Sequence, residues 1–109
     1  MPSVLSKGTI VNMLRRSITE WNEHRTRNPG SIDLCDVNLR ATNLINANLS
    51  LVNFKGANLN SSELCYADLR GATLEEADLR GANYVYAVMS HHQRDLFVAA
   101  QDMTITFVD

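Results

Sequence analysis

Few residues in this chain of 109 have side chains suited to catalysis or metal binding. The imidazoles are His24, His91 and His92, and the thiols are Cys35 and Cys65. Adjacent histidines rarely chelate one ion, and the sequence contains neither an HxxxH spacing nor a CxxC motif. We therefore expect no metal site and no cofactor, and we expect both cysteines to be free surface thiols.

The carboxylates do not point to catalysis either. General acid–base chemistry needs such groups together in a cleft that excludes water. Most of the acidic side chains are distributed over different faces of the repeat region, as solvated surface residues are: Asp33, Asp36, Glu63, Asp68, Glu75, Glu76 and Asp78. We expect the chain not to be an enzyme.

Composition and charge exclude several classes of protein. The formal net charge of −2 is too small for a basic field that binds nucleic acid. Residues 1–31 are mildly positive and the remainder is mildly negative. No run approaches the ~18 apolar residues that span a bilayer, and residues 1–6 lack the layout of a secretory signal. We expect a cytoplasmic protein that binds neither nucleic acid nor membrane.

An apolar residue recurs at every fifth position between Ile32 and His91. The period runs through twelve consecutive pentads: Leu34, Leu39, Leu44, Leu49, Phe54, Leu59, Leu64, Leu69, Leu74, Leu79, Tyr84 and Met89. A helix repeats every 3.6 residues and a strand every two, so a period of five fits neither. Asparagine and aspartate, which favour turns, precede many of these residues. The pattern predicts a chain that turns a corner once per pentad and stacks as a solenoid.

Several pentads resemble the pentapeptide-repeat family, whose pattern is A(D/N)LXX. The full matches are ADLRG at 67–71 and 77–81, ANLNS at 57–61 and ANLSL at 47–51. The resemblance implies an all-β solenoid, a right-handed quadrilateral β-helix of about three coils with four pentads in each. Residues twenty apart would then lie above one another, and the position two before each central residue, most often alanine, would also point inward.

The segments on either side of the repeats are predicted to be caps, so that residues 1–109 form one domain. Apolar residues at steps of four, four and three predict one amphipathic helix over 6–27, and the run TEWNEHRTRNPG resembles the capping helices of cyanobacterial members. The repeats occupy 32–91. Residues 92–109 are predicted to form the C-terminal cap, with a short helical face over 96–103 and a strand near the end. An alternative is that the run MTITFV pairs with a second molecule.

One outward column is unusually apolar and is the candidate interaction face. It comprises Ile45, Cys65 and Val85, with Tyr66 and Tyr86 beside them. Exposed apolar patches containing tyrosine tend to mark binding sites. A terminal segment could instead fold across this face and bury it.

These features favour a non-catalytic module that presents a rigid surface to an unknown protein partner or to a second copy of itself. The resemblance also suggests an alternative, inhibition of a DNA-binding enzyme such as a topoisomerase by imitating duplex DNA. The short and weakly acidic repeat region departs from that pattern.

Overall fold

The N-terminal segment folds as two helices, α1 (Lys7–Arg16) and α2 (Ile18–Arg27), in a computed structural model that describes residues 5–90, Gln93 and 106–108. The prediction of one helix was wrong here. Ser17 is extended, with φ −159° and ψ 112°, and its hydroxyl accepts a hydrogen bond of 3.1 Å from the Glu20 amide. Serine followed three residues later by glutamate is a signal for the start of a helix. Here the signal lies within an apolar period that continues from α1 into α2, and the period alone predicts one helix.

The backbone of the repeat region pairs with itself in parallel at a spacing of twenty residues. Strand β1 (Ile32–Asp33) pairs with β2 (Val52–Asn53) in the register Ile32↔Val52. Further bridges follow the same spacing, from Asn38↔Asn58 to Asp68↔Val88. We call the three stretches 32–51, 52–71 and 72–90 the first, second and third layers. The regular strands have only two or three residues each, because the chain bends again after each short straight segment.

Each pentad bends at a corner built on a left-handed residue. At the corner after Leu44, the Ala47 amide donates to the Leu44 carbonyl at 3.1 Å, and Asn46 between them has φ +64°. From Asp36 to Tyr86 every fifth residue has a positive φ, between +56° and +73°. A turn closed between its first and fourth residues, with positive φ at the third, is of type II.

The asparagines and aspartates of the repeats hold these corners. The side chain of Asn58, for example, accepts a hydrogen bond of 2.9 Å from the amide of Asn60, which opens the next corner. Equivalent bonds of 2.9–3.2 Å are made by Asp33, Asn38, Asn43, Asn48, Asn53, Asp68, Asp78 and Asn83. The turn-forming role predicted for these residues is confirmed in atomic detail.

The core is the column of central side chains inside the layers. The central residues from Leu34 to Leu74 and Met89 are buried, whereas Leu79 and Tyr84 are partly buried. Ala47, Ala57, Ala67, Ala72 and Ala87 are buried at the second inward position. Small residues fit there because the leucines already fill the interior, as the sequence predicted.

The two helices cover the N-terminal end of the repeat region. Ile10, Met13, Leu14 and Trp21 form their buried face, and five polar groups donate to carbonyl oxygens of the first layer. The bonds are Lys7–Cys35, Arg15–Asn38, Trp21–Asn48, Asn22–Asn46 and Arg25–Ser50, at 2.8–3.1 Å. These side chains satisfy backbone groups that an exposed sheet edge would leave unpaired.

Arg25 is the central residue of this contact and is 1% exposed. Its guanidinium lies 5.8 Å from the ring centroid of Trp21 and donates to the carbonyls of Asn28, Pro29 and Ser50. Burial lowers the pKa of Arg25, and its Nε has no hydrogen-bond partner among the described residues. Three backbone carbonyls therefore hold a cation where α2 ends and the repeats begin.

The C-terminal end is closed in part by β4 (Thr106–Val108), which pairs in parallel with β3 (Val88–Ser90) in the register Met89↔Phe107. Gln93 is buried and accepts from the Ser90 amide while donating to the Ala72 carbonyl, both at 2.7 Å. A strand at the end of the chain was predicted, and it pairs within the chain. The predicted helical face over 96–103 lies outside the described residues.

Candidate interaction face

The candidate face is a ridge along one corner of the repeat region, and its centre is a pair of stacked tyrosines. The rings of Tyr66 and Tyr86 lie 5.1 Å apart between centroids, with 26° between their planes. Tyr66 is 58% exposed and Tyr86 is 52% exposed. We call these two residues together with Ile45, Cys65 and Val85 the tyrosine ridge.

The backbone fixes the direction in which the tyrosines point. Both residues occupy the left-handed position of a corner, each with φ +61°. The Tyr66 amide donates to the Val85 carbonyl at 3.1 Å, and the Asn46 amide donates to the Cys65 carbonyl at 3.0 Å. Because bonds between layers hold each corner, the two rings are presented by an ordered frame and not by a flexible loop.

The other ridge residues are less exposed than the tyrosines. Ile45, Cys65 and Val85 are each half-buried. The Cys65 Sγ lies 4.0 Å from the carbonyl oxygen of Asn83. The sequence placed these residues in one outward column, and the structure puts the tyrosine rings at its outer edge.

A cleft of 380 Å³ borders the ridge at Ile45, where α1 gives way to α2. It is lined by Leu14, Arg15, Arg16, Ser17, Ile18, Thr19, Asn43 and Ile45. A terminal segment therefore does reach this face, but its contact is with the Ile45 end. The sequence does not reveal the cleft, because the apolar period continues across Ser17, where the helix breaks and the cleft forms.

A second exposed apolar side chain lies at another corner. Leu51 is 48% exposed and has φ +62°. A Cβ atom on Gly71, in the next layer, would lie 2.8 Å from the Leu51 Cδ2, so the leucine side chain lies across the glycine. Sequence reasoning missed Leu51; the signal was a leucine in an outward position with a glycine twenty residues later.

Two arginine–aspartate pairs lie next to the corners at Gly71 and Gly81. Arg70 binds Asp68 with N–O distances of 2.7 and 2.9 Å, and Arg80 binds Asp78 with distances of 2.8 and 2.9 Å. Hydrogen bonds from the Arg80 side chain and backbone hold the pKa of Asp78 well below its usual range. Burial raises the pKa of Asp68, but hydrogen bonds from Arg70 outweigh it and the net shift is downward.

The cysteines are free, and each is half-buried. A hydrogen bond with Asp33 raises the pKa of the Cys35 thiol, which makes a thiolate less accessible there. In the part of the chain that the structure describes, no three His, Cys, Asp or Glu side chains lie close enough to hold a metal ion. Within that same part, no helix is both long enough and apolar enough to cross a membrane.

The chain is similar to one protein family and to several solved structures. The family described as "Pentapeptide repeats" matches residues 32–71 and 57–91, with eight copies. The pentapeptide repeat protein Rfr23 from the cyanobacterium Cyanothece 51142 is 30% identical, with a TM-score of 0.50, over 70% of this chain and 40% of its own. The pentapeptide repeat protein alr5209 from Nostoc Pcc 7120 is 19% identical, with a TM-score of 0.39, over 84% of this chain and 96% of its own.

The chain thus spans 40% of the length of Rfr23. The comparison with curated proteins finds no match. The family implies a repeat β-helix fold, with which the parallel register of twenty residues agrees. Because the match extends over residues 32–91, more than half of the sequence, the chain belongs to the pentapeptide repeat family.

Proposed function

We propose that this chain is a non-catalytic, cytoplasmic pentapeptide-repeat module that presents the tyrosine ridge to another protein or to a second copy of itself. In this proposal the repeats form a right-handed quadrilateral β-helix of about three coils, which acts as a rigid platform. The module uses no cofactor and binds neither nucleic acid nor membrane.

The observation that carries the proposal is the exposure of two stacked aromatic rings on an ordered corner. Tyr66 and Tyr86 each expose more than half of their surface although both rings are large and partly apolar. Tyrosine supplies a wide contact area at a small cost in side-chain entropy, and it is enriched among the residues that dominate binding energy. Two rings whose stack is already formed lose little further freedom when a partner docks.

The charges of the repeats argue against the alternative of DNA mimicry. Asp68 and Asp78 each make a two-point contact with an arginine two residues away. A surface that imitates duplex DNA needs rows of unneutralised negative charge, since phosphates are spaced regularly along the backbone. These pairs reduce the negative charge of the pentads at 67–71 and 77–81.

The test is the double variant Tyr66→Ser, Tyr86→Ser, with Leu51→Ser as a matched control that removes exposed apolar surface at a different corner. We expect both proteins to melt cooperatively and only the double variant to lose self-association in light scattering, or to lose a partner that the natural sequence retains on an affinity column. If the double variant is folded and behaves as the natural sequence does in both assays, the tyrosine ridge is not the interaction surface.

A further inference from the structure

We propose that the cleft beside Ile45 binds a carboxylate from a segment of a different protein that crosses the tyrosine ridge, so that the partner is an acidic and apolar peptide segment. This inference rests on the proposed function, because it assumes that the ridge is a docking surface. It adds the chemistry of the occupant, which the ridge by itself does not define.

The lining of the cleft combines an apolar floor with a cationic rim. Leu14 is buried, and Ile18 and Ile45 are half-buried. Arg15 and Arg16 are exposed at the edge. None of the described residues that line the cleft carries a carboxylate. Its volume of 380 Å³ lies in the range of sites that hold small ligands or a few side chains.

The two arginines differ in the hydrogen bonds that they already make. Arg15 donates to the Asn38 carbonyl at 2.9 Å, so it also caps the first layer. Arg16 binds the Glu20 carboxylate of its own chain at 2.8 and 3.3 Å, and both side chains of this pair are about half exposed. Glu20 thus already shows the contact that a guest carboxylate would make with Arg16. Such exposed pairs exchange readily because each is worth little in water.

The cleft is continuous with the tyrosine ridge through Ile45, which belongs to both. A partner segment that covers the ridge as far as Ile45 therefore lies beside the cleft that Arg15 and Arg16 line. The charge of the N-terminal segment favours a carboxylate at the cleft itself: residues 1–31 have five basic and two acidic side chains, whereas the repeats that carry the ridge are mildly negative. Complementary charge selects an acidic segment and disfavours a basic one.

The test uses a short fluorescein-labelled peptide of alternating leucine and glutamate, and the same peptide with glutamine in place of glutamate. We expect the glutamate peptide to bind in fluorescence anisotropy and the glutamine peptide to bind about tenfold more weakly, because charge-assisted hydrogen bonds are the stronger kind. Binding should also weaken as salt is added. Equal binding of the two peptides, or no binding at about 1 mM, overturns the proposal.

Three variants locate the site, and thermal melts confirm that each is folded. Arg16→Gln should weaken the glutamate peptide, and Glu20→Gln should tighten it by about two- to fivefold, the range that release of one exposed ion pair allows. Arg27→Gln also removes one positive charge, but at the C-terminal end of α2, away from the cleft. It should leave peptide binding unchanged. If Arg27→Gln weakens binding as much as Arg16→Gln does, the attraction is general and the cleft is not the site.

Two further results separate this inference from the proposed function. In the first, the double tyrosine variant loses assembly while the Arg16 and Glu20 variants bind the peptide as the natural sequence does. In that case the ridge is a docking surface, and only the cleft proposal is overturned. If the natural sequence self-associates and Glu75→Gln with Glu76→Gln abolishes the association, the acidic segment belongs to a second copy. That outcome overturns the assignment to a different protein.

Discussion

At the corner shared by Leu51 and Gly71, a side chain in one layer lies across a glycine in the next, whereas at the corner shared by Tyr66 and Tyr86 two side chains stack. All four residues have positive φ, between +61° and +71°. The backbone conformation therefore does not by itself require glycine. Position 71 differs because the Leu51 side chain lies over it: its Cδ2 would lie 2.8 Å from a Cβ atom there and would have to move.

The tyrosine corner avoids this crowding because its rings project outward side by side. Left-handed residues with a Cβ atom are strained by about 1–2 kcal/mol, and aromatic pairing offsets part of that cost by about 0.5–1.5 kcal/mol. The glycine corners carry less strain and expose less ring surface. Tyrosine and glycine thus occupy corners of the same backbone conformation. The fold does not need tyrosine at positions 66 and 86 in order to form these corners.

The largest expected effect comes from the interior on which both corners rest. Leu64 is 1% exposed, and an unpaired lysine there costs several kcal/mol against a total stability of about 5–15 kcal/mol. We expect Leu64→Lys to abolish cooperative unfolding in a thermal melt followed by circular dichroism. Arg70→Ala, at the exposed glycine corner, should shift stability by at most about 1 kcal/mol. A cooperative melt in the Leu64→Lys protein would contradict the proposed interior.

The next effect tests why glycine is present at position 71. Gly71→Ala adds a Cβ atom against Leu51 and leaves a non-glycine residue at φ +71°, so we expect a loss of about 1–3 kcal/mol in chemical denaturation. Leu51→Ala in the same chain should restore part of this loss by removing the contact. If Gly71→Ala is as stable as the natural sequence, the leucine does not impose the glycine.

A smaller effect is expected from the converse change at the tyrosine corner. Tyr66→Gly relieves left-handed strain but loses the ring pairing with Tyr86, and the two terms are of similar size. The free energy of unfolding should therefore change by less than about 1 kcal/mol. A loss as large as that of Gly71→Ala would mean that the stacked rings hold their corner together.

The smallest effect is a difference in acid sensitivity between the two kinds of corner. Asp68 and Asp78 precede the glycine corners at 71 and 81, whereas the tyrosine corner follows Asn43, Glu63 and Asn83. The folded-state pKa of Asp68 lies below its ordinary value. Its ionised form therefore stabilises the fold above the unfolded pKa of about 3.9, and this contribution is lost as pH falls through the folded pKa.

The variant Asp68→Asn measures this contribution. Asparagine keeps the corner hydrogen bond, as Asn48 and Asn58 show, but it cannot titrate. We expect a small loss of stability at pH 7, where ionised Asp68 contributes in the natural sequence, and a shallower further loss below pH ~4. Asn58→Asp is the matched change in the other direction. An unaltered pH profile in the Asp68→Asn protein would show that the Arg70 pair does not contribute.

The sequence predicted the repeating part of the molecule well because its signals are periodic. A leucine at every fifth position indicates which side chains are buried. The asparagine or aspartate that precedes it indicates a turn, because its side chain hydrogen-bonds the backbone of the following corner. These relations are local and recur in many pentads, so each pentad supports the others. The register of twenty residues could be predicted only from the family resemblance. The sequence of a pentad does not indicate how many pentads make up one layer.

The parts that the sequence did not reveal depend on contacts that occur once. The apolar positions of α1 and α2 keep one continuous period across Ser17, so the break is visible only in the capping signal of Ser17 and Glu20. How the helices lie on the first layer depends on long-range bonds such as Trp21 to the Asn48 carbonyl. The cleft follows from both features. The sequence predicted that the residues of the candidate face form one column. It did not predict that α1 and α2 lie beside the Ile45 end of that column.

The register of twenty residues also sets the step by which a chain of this design can change length. The helices contact the carbonyl oxygens of Cys35 to Ser50, and β4 pairs with Val88–Ser90. A duplicated segment 52–71 would add one layer and leave both sets of end contacts in phase. An extra pentad would shift the two ends relative to each other and separate each end from its partners. Growth or loss of such a protein is therefore expected in whole layers, with each end preserved as a unit.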